Sequence, residues 1–134
     1  MATHKASYIT IDQYEFPRGS KGVGTLVCAA LMVLSTRRKF IEPGSLIHDH
    51  ILARSAKAAK HSKLVQDILF YLFFGVHGVE TVWFGLIQLK KHNVKIFSLL
   101  GVQWLATVFA GGVFATNHWA EVVEKKEVQV LKEI

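Results

Sequence analysis

The stretch ILFYLFFGVHGVETVWFGLIQL, Ile68–Leu89, holds a single ionisable acid, Glu80, in an otherwise almost unbroken apolar run. At 1.5 Å per residue a helix over it reaches about 33 Å, enough to cross a hydrocarbon core about 30 Å thick. Soluble helices carry their apolar residues in stripes; here they form a block. Two further apolar runs stand on either side. Gly22–Thr36 closes sharply at Arg37, Arg38 and Lys39. It is short against the roughly 20 residues a full span needs, a shortfall that a thinned bilayer, a tilted neighbour or a partner accommodates. Ile96–Trp119 follows the tight turn Lys90-Lys91-His92-Asn93, which forces an antiparallel return, and Trp119 with His118 marks its far interface, where indole rings prefer to sit. The expected class is all-α: an integral membrane protein of about three transmembrane helices, near 22–36, 68–89 and 96–119.

Composition agrees with that class. Of 134 residues, 51% are apolar and 19% charged, below the quarter usual in soluble domains. The formal charge is +6, yet no basic groove with interleaved aromatics and no nucleic-acid module is present, so nucleic acid is not an expected partner. The cations flank the apolar runs instead, where Arg37, Arg38, Lys39, Arg54, Lys57 and Lys60 suit lipid headgroups. Cys28, alone, permits no internal disulfide and no cysteine-based zinc site.

The segment 1–21 is expected to be extended. It mixes Tyr8, Ile9, Ile11, Tyr14 and Phe16 with polar residues, and Pro17 with Gly19 breaks any helix. Asp12 and Glu15 there fit neither a secretory signal nor a transit peptide, so any targeting signal is expected to be internal and uncleaved. From 22 to 134 the chain reads as one helical membrane domain. Pro43-Gly44-Ser45 punctuates it, and Ser45 can cap a following helix. Over 45–63, Leu46, Ile47, Ile51 and Ala58 lie on one side, with Arg54, Lys57 and Lys60 on another. That pattern predicts a basic amphipathic helix at the membrane surface. The tail 120–134, with Glu124, Lys125, Lys126 and Glu127, predicts a helix continuing outside the bilayer. With three spans, the loop 37–63 and the tail share one side and hold ten of the sixteen Lys and Arg residues, which points that side to the cytosol or the mitochondrial matrix.

His77-Gly78-Val79-Glu80 is the feature a bland account explains least. An acid at mid-span is costly unless it faces protein or water, pairs, or takes a proton. Positions i and i+3 share a face, and Phe70, Phe73, Phe84 and Gln88 extend that stripe. Gln103, Thr107, Ala110, Gly111 and Phe114 form a small, polar face on the next run, suited to close packing and interhelical hydrogen bonds. The expectation is Glu80, protonated or not, bonded to His77 or Gln103, with His77, Glu80, Gln103 and Thr107 joining the two helices. A proton path through the pair, or ligation of metal or haem by His77 and Glu80, are the alternatives. A di-iron bundle would need further inward carboxylates, and haem a second axial candidate. His48-Asp49-His50 with His61 is a weak metal motif, because alternate residues on a helix diverge. Asp67 is expected to pair with Lys63, and Gly111-Gly112 to allow close helix contact.

With these residues in place, Gly44–Trp119 resembles the small, three-span transmembrane protein 254-like family, which is uncharacterised. The likeness rests on His77-Gly78-Val79-Glu80-Thr81, the Lys90-Lys91-His92 turn and the Gln103-Trp104 pair. It implies a membrane protein and no known activity. No phosphate loop, nucleophile elbow or paired catalytic carboxylates occur. The function expected is therefore non-enzymatic, without a cofactor: a small subunit packing into a larger membrane complex, with other membrane subunits and lipids as partners. A mitochondrial respiratory-chain or ATP synthase assembly in the inner membrane is preferred. The second reading is a small endoplasmic reticulum protein handling lipid, haem or protons through His77 and Glu80.

Overall fold

A computed structural model describes residues 9–133; the first eight residues of the expected extended segment, and Ile134, lie outside the described residues. Among them the chain is helical: α1 (Gly19–Leu34), a short α2 (Leu46–His50), α3 (Ala56–Trp83), α4 (Leu99–Gly111) and α5 (Val113–Glu133), with no strand. Helix α3 continues without a break into a π-helical turn, Phe84–Leu89. Together they make one 34-residue helix, long and apolar enough to cross a membrane; α1 and α4 are shorter. Serines start three of the helices. Ser45, Ser55 and Ser98 each accept the backbone N–H three residues on, from His48, Ala58 and Gly101, which satisfies one of the donors every helix start leaves free.

The segment 45–63 is not one surface helix. It divides into α2, a 3-10 turn at Leu52–Arg54, an extended Ser55 and the first turns of α3. The cap at Ser55 restarts the helix, and no Pro or Gly separates Ala56 from the apolar run, so the two join. Lys57 and Lys60 are thus exposed on the end of α3, and Arg54 on the loop before it.

The third apolar run departs furthest from expectation. Gly112 adopts φ 54° and ψ −125°, a conformation open to glycine and strained for other residues. There the chain reverses. The rings of Trp104 and Trp119 meet with centroids 4.8 Å apart, whereas 15 residues of continuous helix would separate them by about 22 Å. The run 96–119 is therefore a helical hairpin, not one continuous helix. Helix α4, with 13 residues, reaches only about 20 Å.

The hairpin and the end of α3 enclose the main core, around the fully buried Trp104, Phe84, Leu89 and Val108. Residues 9–18 form a strap across it. His92 Nδ1 donates to the Ile9 carbonyl (2.6 Å), Ile11 N–H donates to the His92 carbonyl (3.1 Å) and Asn93 donates to Thr10 (2.8 Å). Further along, Tyr14 packs edge-on against Trp104 and His118 Nε2 donates to the Glu15 carbonyl (2.8 Å). Lys125 closes the strap on the Glu15 carboxylate at 2.7 Å.

Helix α1 threads from this packed half toward the other end of α3, where the Gln66 amide donates to the Leu34 and Arg37 carbonyls at 2.8 and 2.6 Å. Close approach rests on small residues. A Cβ on Gly111 would lie 2.5 Å from Thr25 Oγ1, and one on Gly24 would lie 2.7 Å from the Phe114 ring.

Two outcomes follow from this arrangement. Spin labels at the exposed Leu99 and Glu124 should report a separation well below 20 Å, whereas a continuous helix would hold them about 37 Å apart. The strap should also answer to acid. The hydrogen bond from Lys125, ahead of any other cause, holds the Glu15 carboxyl below its usual 4.5. A depressed carboxylate stabilises the fold above its ordinary pKa and loses that contribution as pH falls through the lowered value. Amide protection at Ile11, corrected for intrinsic exchange, should hold from pH 7 to 5 and decline below 4.5. Glu15→Gln should be weaker at neutral pH and flatter on acidification.

Candidate functional site: the hairpin tip against mid-α3

The tip of the α4–α5 hairpin lands on the middle of α3, beside His77 and Glu80. His77 is 7% exposed, and its Nδ1 donates to the Phe109 carbonyl at 2.8 Å. A carbonyl only accepts, so Nδ1 carries the proton. Phe109 lies in the last turn of α4, where carbonyls lack intrahelical partners. His77 thus supplies a hydrogen bond that the reversal took away. Its other ring nitrogen faces Gly112: a Cβ there would sit 2.5 Å from Nε2 and 3.0 Å from Glu80 Oε2. The site needs glycine for its φ and again for its space. Phe73 stacks edge-on against the His77 ring at 5.3 Å, and Phe74 does so against Phe109 at 5.6 Å, closing the tip in aromatic surface.

Glu80 flanks the same glycine, but the bond expected to His77 or Gln103 is not formed among the described residues. Its Oε2 is buried with no hydrogen-bond partner among the described residues. The reversal explains why: only Phe109–Gly112 reaches the depth of His77, and Gln103 and Thr107 lie nearer the opposite end. Thr107 Oγ1 donates to the Gln103 carbonyl (2.8 Å) and meets the Tyr14 hydroxyl at 2.5 Å. The expected group of four is therefore two sites. One joins α3 to the hairpin tip; the other joins α4 to the strap.

The proposed headgroup cations divide as well. Arg37, Lys39, Arg54, Lys57 and Lys60 are exposed, whereas Arg38 is engaged. Its guanidinium donates to Gln66 Oε1 (2.7 Å) and the Lys63 carbonyl (3.1 Å), and meets the Asp67 carboxylate at 2.9 Å. Asp67 thus pairs with Arg38, not with Lys63. A loop arginine held by three groups outcompetes a flexible lysine one turn away. In the His48-Asp49-His50 motif, Asp49 accepts from the Gly44 N–H (3.1 Å) and from His48 (3.2 Å). Those contacts, the first above all, draw its carboxyl below the ordinary range. It closes the turn after Pro43. No group of three His, Cys, Asp or Glu side chains among the described residues is placed to hold a metal.

Sequence reasoning missed Tyr14, Glu15 and Gln66, and named Arg38 only as a headgroup cation, without its contacts to Gln66 and Asp67. The reversal itself had a signal, since paired glycines mark turns, but Gly111-Gly112 within an apolar run reads equally as a packing contact. Comparison with protein-family models, curated proteins and solved structures returns no match.

The arrangement joins a broken helix to an unbroken one through one histidine. His77→Leu should therefore lower stability by about 1 kcal/mol, the scale of hydrogen bonds between helices in bilayers. Thermal unfolding in mild detergent measures this, and a melting temperature unchanged from that of the parent chain would remove the clamp.

Proposed function

We propose that this chain is a non-enzymatic membrane subunit, anchored by α3, whose open face receives a helix of a partner protein. The observation that carries this reading is the mismatch between α3 and its own neighbours. Only 17% of its apolar stretch is buried, while Ile68, Tyr71, Leu72 and Val79 are 54%, 74%, 54% and 72% exposed. A core helix of a water-soluble protein would be covered, and contiguous exposed apolar surface marks a membrane or protein interface. The same face forms a shallow groove from Leu64 to Val79, with Gly75 in its floor and Glu80 at its end. A buried carboxyl oxygen without a partner is expensive in a low-dielectric setting. Glu80 as a whole is half-buried, and a donor from a neighbouring subunit in the groove would bond the open side of the carboxyl and offset that cost, as polar side chains do between transmembrane helices.

In this reading α3 crosses the bilayer and the α4–α5 hairpin is re-entrant, entering from the Lys90 side and returning to it. Irregular backbone is tolerated at such depth where protein covers it, and the His77 clamp meets that condition. Helix α1 descends beside the hairpin to the opposite face. The tail then joins the strap and the Lys90 turn on one side, which holds nine of the sixteen Lys and Arg residues and leaves seven opposite. The ten-to-six bias of a three-span topology is lost, and with it the sidedness drawn from charge. The basic balance and few short helices suit a subunit of a mitochondrial inner-membrane assembly rather than an endoplasmic reticulum protein.

The test uses the tagged chain in native membranes. It should resist alkaline carbonate and, in mild detergent, migrate in a particle far larger than its 15.0 kDa. A photo-crosslinker at Tyr71 should capture one discrete membrane protein. Glu80→Gln, which keeps a hydrogen-bonding group, should preserve both results; Glu80→Leu should release the chain, on the order of 1 kcal/mol being lost. Adducts to lipid alone, with a chain of monomer size, would exclude the subunit reading.

A further inference from the structure

Away from the hairpin tip, a cleft of about 670 Å³ lies between the π-helical end of α3 and the outer half of α5. Its floor is aromatic, with Phe84 and Trp119 packed edge to face at 5.0 Å. The π-helical turn gives α3 a wider coil just where Gln88 meets α5, and such turns recur at functional sites. Trp119 Nε1–H donates to Gln88 Oε1 at 3.2 Å, which leaves the Gln88 NH2 group as a donor on the cleft wall. Trp83, 48% exposed, and Asn117 stand along the sides. Lys91, Glu124 and Glu127 stand around the mouth.

The charges at that mouth differ from the paired ones that tie α5 to the strap and to α1. Lys125 is paired with Glu15, Lys126 with Asp12 and Lys21 with Glu121. Among the described residues, Lys91, Glu124 and Glu127 make no ion pair. One free cation and two free acids thus border one amphipathic cleft at the end of the apolar helix. Simple ions fit it poorly, because Lys91 opposes a metal cation and the two glutamates oppose an anion. A ligand carrying both charges, joined to an apolar body, matches every wall.

We propose that this cleft binds a zwitterionic phospholipid. The phosphate would sit on Lys91 and the Gln88 NH2 group, and the ammonium between Glu124 and Glu127. Trp83, beside Phe84 at the level of the aromatic floor, would line the glycerol backbone and the start of the acyl chains. The order along the bilayer normal is consistent with this. Trp119 lies level with Phe84 and His92, and Glu124 and Glu127 follow one to two turns further out. The acids therefore stand outside the aromatic floor, as the ammonium of such a lipid stands outside its acyl chains. The proposal rests on the membrane reading of α3, not on the partner that α3 takes.

Native mass spectrometry of the full chain in mild detergent tests it, with phosphatidylethanolamine and phosphatidylglycerol supplied at equal concentration. The parent chain should retain the zwitterionic lipid at least about fivefold better. Lys91→Gln should reduce that retention by a similar factor, and Glu124→Gln with Glu127→Gln should abolish or reverse the preference. Lys91 and Glu124 are exposed and Glu127 half-buried, so helicity and melting temperature should stay unchanged and separate lost binding from lost fold. Equal retention of both lipids by the parent chain, unaltered retention in Lys91→Gln, or an unaltered preference in the double glutamate variant would overturn the proposal. Displacement by an equal concentration of soluble phosphoethanolamine would overturn the lipid as the source of the headgroup. Carbonate washing, run alongside, reports on the membrane reading separately.

Discussion

A reversal of the backbone at Gly112 has to be made acceptable inside an apolar surrounding, and the fold is organised around that demand. A continuous helix satisfies its own peptide groups; a broken one exposes carbonyls on one side of the break and N–H groups on the other. His77, from the middle of α3, donates to Phe109 on the carbonyl side. Glycine supplies the positive φ and the absence of a Cβ that lets the imidazole approach. Remove either and the hairpin's seat on α3 is weakened. The stacking of Trp119 on Trp104 and Phe84 depends on that seat, and so does the groove along which the strap lies.

Packing is unequal along the long helix. At the Lys90 end, α3 is enclosed by the hairpin, the strap and the turn at His92, with edge-on aromatic contacts each worth about 0.5–1.5 kcal/mol beyond their burial. At the other end only α1 and the loop after it touch α3. The link there is polar, through Gln66 and Arg38 onto the last carbonyls of α1 and onto Asp67. Within a bilayer, apolar area gives no drive for helices to associate, so close packing and hydrogen bonds do that work. Gly24, Thr25 and Gly111 provide close packing on one side of the bundle, and the remaining face of α3 has no counterpart among the described residues.

Much of the architecture was legible as pattern. Blocked hydropathy marked the helix over Ile68–Leu89, and Ser45 does cap a helix, though one that ends at His50 and not near Lys63. His77 and Glu80 stand out because polar groups are rare in such runs, and both do lie at a helix–helix contact. Their partners were not legible. A period of 3.6 residues shows which side chains share a face, but not how deep the facing helix reaches. Thr107 faces Tyr14 of the strap, and it is Phe109, a half-turn away on α4, that meets His77. Arg38 looked like any cation at the end of an apolar run until the loop brought it against Gln66 and Asp67, more than 25 residues away in sequence.

The sequence by itself determined that the chain is helical, that one helix is long and apolar enough for a membrane, and that mid-helix polarity there must be matched by something. These are local properties, set by composition, periodicity and the cost of an unsatisfied polar group. Only the tertiary structure decided that the last apolar run folds back on itself and that residues 9–18 bind across it. It also decided which cations are paired, and that the Glu80 oxygen finds no partner among the described residues. Each depends on contacts between distant segments: a glycine pair inside an apolar run is compatible with a straight helix or a reversal. What selects between them is whether a donor such as His77 waits at the depth where the break exposes a carbonyl.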